Sequence, residues 1–121
     1  MTTVYSSNTG PVMYHLDKVV QGDDFSLSIA FRNKNDLTPF DLTGYSFKMQ
    51  VRRADKSLVF TLEQPTNITV IGNIVTITIS NAHTSMMEPC FEYYYDLQSS
   101  NGGNITTWIR GRLIVMQQVT V

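Results

Sequence analysis

Strict alternation of apolar and polar side chains runs through much of this chain, and it leaves few folds open. In FDLTGYSFKMQVRR, residues 40–53, Tyr45, Phe47, Met49 and Val51 fall on one parity and Ser46, Lys48, Gln50 and Arg52 on the other. Successive side chains of a strand point to opposite faces, so a period of two over such a length describes a strand with one buried side. DFSLSIAFR, residues 24–32, repeats the pattern with Phe25, Leu27, Ile29 and Phe31 in phase. CFEYYYDLQ, residues 90–98, repeats it with Phe91, Tyr93, Tyr95 and Leu97. A strand that is apolar on one side only must bury that side against a second layer, and antiparallel neighbours joined by tight turns permit this.

Turn residues punctuate the remainder. VMYHLDKVV, 12–20, predicts a first strand, and NKNDLTPFDLTG, 33–44, a long turn. After ADKS, LVFTL at 58–62 returns with Leu58, Phe60 and Leu62 in phase, a hairpin with the strand at 45–53. NITVIGNIVTITIS, 67–80, is a second hairpin about Gly72-Asn73. Residues 81–89 do not alternate; Asn81 or Thr84 caps at most one helical turn, closed by Pro89. ITTWIRGRLIVMQQVTV, 105–121, is the last strand. The count is about seven strands, too closely spaced for the crossover helices of a parallel sheet, which predicts an all-β antiparallel sandwich or small barrel. Residues 12–121 form a single domain, and the polar residues 1–11 form an N-terminal arm ahead of it, loose in isolation or laid on a neighbour.

Composition removes several kinds of function. The formal net charge of −1 argues against a nucleic-acid binder driven by counterion release. No basic segment precedes an apolar run at the start, so no signal peptide is expected, and the apolar runs are far shorter than the ~20 residues of a membrane helix. Cys90 is the only cysteine, which excludes an internal disulfide and places synthesis in a reducing cytoplasm. It has no neighbouring base and reads as an inert thiol. His15 and His83 lie too far apart in sequence to indicate a metal site. Gly22-Asp23-Asp24 lacks the spacing of a calcium loop and reads as the turn into the strand at Phe25. Glu92 and Asp96 share a polar strand face, as do Lys48 and Arg52, and both read as solvated. No cofactor, metal, small-molecule substrate or catalytic set is expected.

The last strand breaks the pattern. With Leu113 and Val115 inward, in phase with Ile105, Ile109 and Gly111, the outward parity carries Thr106, Trp108, Arg110, Arg112, Ile114 and Met116. Tryptophan and arginine are enriched where proteins dock. Trp108, Arg110, Arg112, Ile114 and Met116, with outward Tyr94 from the preceding strand, are therefore the interface candidates. The competing expectation is a β-bulge near Gly111 that swaps the parity and buries some of them.

The order of these pieces resembles the immunoglobulin-like β-sandwich domains of tailed-bacteriophage virion proteins, similar to the N-terminal domain of phage baseplate upper proteins. The resemblance rests on Gly22, Asp23, Phe25 and Leu27; on Asp41 to Gly44 followed by Val51 and Arg52; on Tyr93, Tyr95, Asp96 and Leu97; and on Gly111, Leu113 and Val115, across roughly residues 14–119. Cys90-Phe91 stands where the family pattern has a glycine, and the lead-in is longer. The resemblance implies an immunoglobulin-like sandwich that is a structural part of a tail, baseplate or neck. Such a part has no catalysis or cofactor and acts by contact with other virion proteins as a homo-oligomer. The row Tyr93-Tyr94-Tyr95 motivates an alternative, a carbohydrate- or host-surface-binding module.

Overall fold

The structure, a computed structural model, describes residues 2–5, 11–89 and 91–117. Along the chain run β1 (Thr2–Tyr5), β2 (Val12–Met13), β3 (Leu16–Val20), β4 (Phe25–Arg32), β5 (Ser46–Arg53) and β6 (Leu58–Glu63). They are followed by β7 (Ile68–Ile71), β8 (Ile74–Ile79), the single turn α1 (Asn81–Thr84), β9 (Glu92–Asn101) and β10 (Asn104–Met116). One sheet has the order β1-β4-β8-β7. The other runs β2-β10-β9-β5-β6, with β3 paired to the same β10.

Alternation places the core as expected. Ile29 and Phe31 of β4, Phe47, Met49 and Val51 of β5, Val75, Ile77 and Ile79 of β8, and Tyr93, Tyr95 and Leu97 of β9 are all buried. The sheets meet through aromatic rings: Phe31 lies 5.4 Å from Phe47 and 5.1 Å from Trp108. This is the all-β sandwich of two packed sheets that the alternation predicts. Both hairpins form, and Gly72 takes the positive φ of 61° that its turn requires. Leu58 is the exception in its hairpin. A register shift opposite Val51 and Arg52 turns it out of the core, and it is exposed.

The amino-terminal segment departs from expectation. Thr2–Tyr5 is not a loose arm: β1 lies parallel to β4 and buries Val4 in the core. Residues 6–10 of the expected arm lie outside the described residues. The expected strand over 12–20 breaks at Tyr14-His15 into β2 and β3, both parallel to β10. Parallel neighbours need a crossover. Here the chain supplies one by crossing to the other sheet and back between β1 and β4, so the pairing is not purely antiparallel.

The break has a structural cause. The Tyr14 carbonyl tucks over Gly111, where a β-carbon would sit 2.7 Å from the carbonyl carbon and closer still to the oxygen. Tyr95 Oη donates to that oxygen at 2.6 Å. Burial, and secondarily Tyr14, push the Tyr95 phenol well above the usual tyrosine value, so it stays a donor.

The helical turn is capped by Ser80 rather than by Asn81 or Thr84: its side chain accepts from the His83 N–H at 3.4 Å. Thr84 is fully buried and ties α1 to the Gly22-Asp23 turn, accepting from Gly22 N–H at 3.1 Å and donating to the Asp23 carbonyl at 2.8 Å. Thr84→Val keeps the shape and strands both backbone groups, so it is expected to cost about 2 kcal/mol in urea unfolding.

Three exposed carboxylates shape turns two residues upstream of a hydroxyl. Asp36 bonds Thr38, Asp41 bonds Thr43 and Asp55 bonds Ser57. Those bonds hold all three acids below their ordinary value of 3.8. The folded pKa is depressed, so the contribution to stability is present above that value and fades as pH falls through the lowered folded values. In a carbon-detected NMR titration, the three resonances are expected to move at lower pH than the same acids in the unfolded chain.

Candidate functional site

The candidate surface is built on the outer face of β5, β9 and β10, and one irregularity in β10 decides which side chains reach it. Thr107 pairs with Gln98 and Ile109 with Leu97, so Trp108 is an extra residue between two ladder positions. This bulge lies three positions before Gly111. Trp108 and Ile109 consequently both turn inward. Trp108 is 9% exposed, its ring packs edge-on against Phe31 and Phe40, and its Nε1 donates to the buried Ser99 Oγ at 2.8 Å. Trp108 is therefore a core residue, not an interface residue. By the same shift Ile105, expected inward, stands 71% exposed on the outer face.

The other candidates do reach the outer face. Arg110, Arg112, Tyr94 and Met116 are exposed and Ile114 is half-buried. The register sets them in rows with β5. Arg112, Tyr94 and Arg52 are aligned across three strands, and Arg110, Asp96 and Gln50 form the next row. Lys48 and Arg52 of the 40–53 stretch and the arginines of the last strand thus share one face, with β9 between them, a convergence that sequence spacing did not reveal.

Several of these groups are already engaged. Arg112 Nη1 and Glu92 Oε1 form an ion pair at 3.1 Å, with both side chains about half exposed and hence of little energetic weight. Arg52 donates to the Lys56 carbonyl and to Gln50 Oε1, both at 3.0 Å. Asp96 Oδ1 is different. It is buried at the floor of a depression of about 130 Å³ lined by Gln50, Arg52, Tyr94, Tyr95 and Arg110, and it has no hydrogen-bond partner among the described residues. A buried carboxyl oxygen is costly unless a donor meets it.

Beside this face a second feature escaped the sequence. Phe91, expected inward, is exposed, and with Met86 it lines a cleft of about 580 Å³ that also includes Arg53, Glu88 and Glu92. Glu92 belongs both to the cleft and to the ion pair with Arg112, so the two surfaces adjoin. No sequence signal marked Met86, which sits in a stretch without alternation.

The remaining polar residues have structural places. His15 Nδ1 accepts from the Arg112 N–H at 3.0 Å, and His83 lies against Phe60 with centroids 4.7 Å apart. Asp24 accepts from the Asn81 N–H at 2.6 Å, while Gly22 and Asp23 make the turn into β4. No cluster of three or more His, Cys, Asp or Glu converges among the described residues. Cys90 lies outside the described residues.

No family model and no curated protein matches the sequence. Among solved structures, the chain is similar to the N-terminal domain of phage TP901-1 ORF48, with 11% identity, 94% of each chain covered and a TM-score of 0.45.

Proposed function

We infer that this chain is a structural component of a bacteriophage particle, in its tail, baseplate or neck. It acts there without catalysis, by docking the outer face of its six-stranded sheet onto another virion protein. One observation carries this reading. The register gathers Arg52, Tyr94, Arg110 and Arg112 on a single face, around a buried Asp96 oxygen that lacks a donor among the described residues. Arginine and tyrosine at the centre, with an exposed Met86–Phe91 cleft at the margin, is the composition of a docking surface. The ordered motifs around Gly22, Asp41 to Gly44, Tyr95 and Gly111 support placing that surface in a phage particle. The carbohydrate-binding alternative gains nothing from the tyrosine row, because Tyr93 and Tyr95 are buried and only Tyr94 is exposed.

Particles made from the genome that encodes the chain test this directly. Purified particles are expected to contain the protein at a fixed stoichiometry. The double substitution Arg110→Glu and Arg112→Glu is expected to weaken docking by roughly 30-fold, the effect of losing a 2 kcal/mol hot spot, with the isolated domain still folded. Absence of the protein from purified particles would sink the proposal.

A further inference from the structure

The opposite side of the sandwich has a different character. The outer face of the four-stranded sheet carries Thr3 and Tyr5 from β1, alternate residues of β4 from Ser26 to Arg32, Ile74 to Thr78 from β8, and Thr69 and Ile71 from β7. Among the described residues of that face only Arg32 is charged, and its Nη1 is turned into the following loop, donating to the Leu37 carbonyl at 2.9 Å. The hydroxyls are partly satisfied within the sheet, with Ser28 Oγ and Thr76 Oγ1 3.1 Å apart. Apart from Tyr5 and Arg32 this face bears small hydroxyl and aliphatic groups, and such depletion of charge marks the centre of an interface.

We propose that a second copy of this chain covers this face, forming a two-fold dimer. The charge pattern favours that occupant. A surface rich in charge would bury its ions here without counter-ions, which is strongly unfavourable, whereas two copies of this face bring only one cation each, Arg32, whose Nη1 is turned into its own loop. The relief favours it too. Thr3, Ala30, Ile74 and Ile71 form one row across β1, β4, β8 and β7. The row climbs from Ala30, 6% exposed, to Ile71, 79% exposed. A two-fold axis parallel to the strands, between β4 and β8, sets Ile71 against the partner's Thr3 and Ile74 against the partner's Ala30. Large side chains then fall on small ones in both directions, as an isologous contact requires. The contact surface, four strands at about 4.8 Å spacing and some six residues long, covers roughly 400 Å² in plane. That is below the roughly 800 Å² per partner of a standard stable complex, so the dimer is weak and concentration-dependent. This surface is independent of the docking face proposed above and does not rest on it.

Sedimentation equilibrium of the purified chain between micromolar and millimolar loading tests the proposal. The weight-average mass is expected to rise from that of one chain towards that of two, and to do so equally at low and half-molar salt, because no ion pair holds the contact. Thr76→Lys and, separately, Ile71→Lys are expected to hold the protein at one chain's mass with an unchanged circular dichroism spectrum. Ile71 is so exposed that its substitution leaves the core untouched, which guards against a folding failure in the first variant. Arg110→Glu is expected to leave the dimer intact. A single-chain mass at millimolar loading would overturn the proposal, as would a dimer that survives Ile71→Lys. So would an association dispersed by salt and by Arg110→Glu, which would assign self-association to the charged face instead.

Discussion

Gly111→Ala is expected to remove about 3 kcal/mol of folding stability. The added methyl has nowhere to go. It falls on the Tyr14 carbonyl oxygen, 2.7 Å from the carbonyl carbon and 3.2 Å from the Tyr95 ring. The obstacle is backbone on one side and a buried aromatic on the other, so no flexible side chain can swing away. Relief requires β2 and β3 to lift from β10, which also breaks the 2.6 Å bond from Tyr95 Oη and exposes Leu16 and Val19. Urea unfolding of the isolated domain measures the loss. Tyr95→Phe, which removes only the donor, is expected to cost about 1–2 kcal/mol. A Gly111→Ala protein within 0.5 kcal/mol of the parent, the range of ordinary surface changes, would show that the Tyr14 carbonyl does not sit where described.

Trp108→Ala is expected to cost about 3–5 kcal/mol, the usual range for a large aromatic removed from a core. Trp108 fills the space between the sheets beside Phe31 and Phe40 and anchors the Ser99 hydroxyl. Trp108→Phe retains most of the packing and strands that hydroxyl, for an expected loss of about 1–2 kcal/mol. Because Trp108 is the sole tryptophan, fluorescence reports on this site alone. The folded protein is expected to emit at short wavelength, with a large red shift on unfolding and little quenching by iodide. Were the side chain outward, Trp108→Ala would leave stability nearly unchanged and emission would already resemble that of free indole in water.

Trp108 also shows where sequence reasoning stops. The stretch Ile105-Thr106-Thr107-Trp108-Ile109 contains only residues that favour strands, and no glycine or proline marks the extra position. The bulge is visible only against β9, where Thr107 meets Gln98 and Ile109 meets Leu97. One inserted residue reverses the parity of all that precedes it. Parity counted back from Leu113 was correct as far as Ile109 and wrong beyond it, which sent Trp108 outward and Ile105 inward. Arg110, Arg112, Ile114 and Met116 lie on the near side of the bulge, and their outward placement stands.

The amino terminus failed for a related reason. Thr2–Tyr5 is a good strand sequence, but four residues without a hydrophobic period carry no address. β4, already held by β8 on one side, offers its other edge to β1, and Val4 is buried in the core there. A contact made by residues so distant in sequence leaves no trace in local pattern.

Local chemistry alone determined β4 to β9, the inward faces of β4, β5, β8 and β9, the two hairpins and the turn at Gly72, because side-chain alternation and turn propensity act over a few residues and need no partner. The tertiary structure alone decided the bulge at Trp108, the parallel seating of β1, β2 and β3, and the alignment of Arg52, Tyr94 and Arg112 in one row. It also set charge on one outer face and almost none on the other. All of these depend on which strand lies beside which and in what register, and register is settled by burial summed across both sheets.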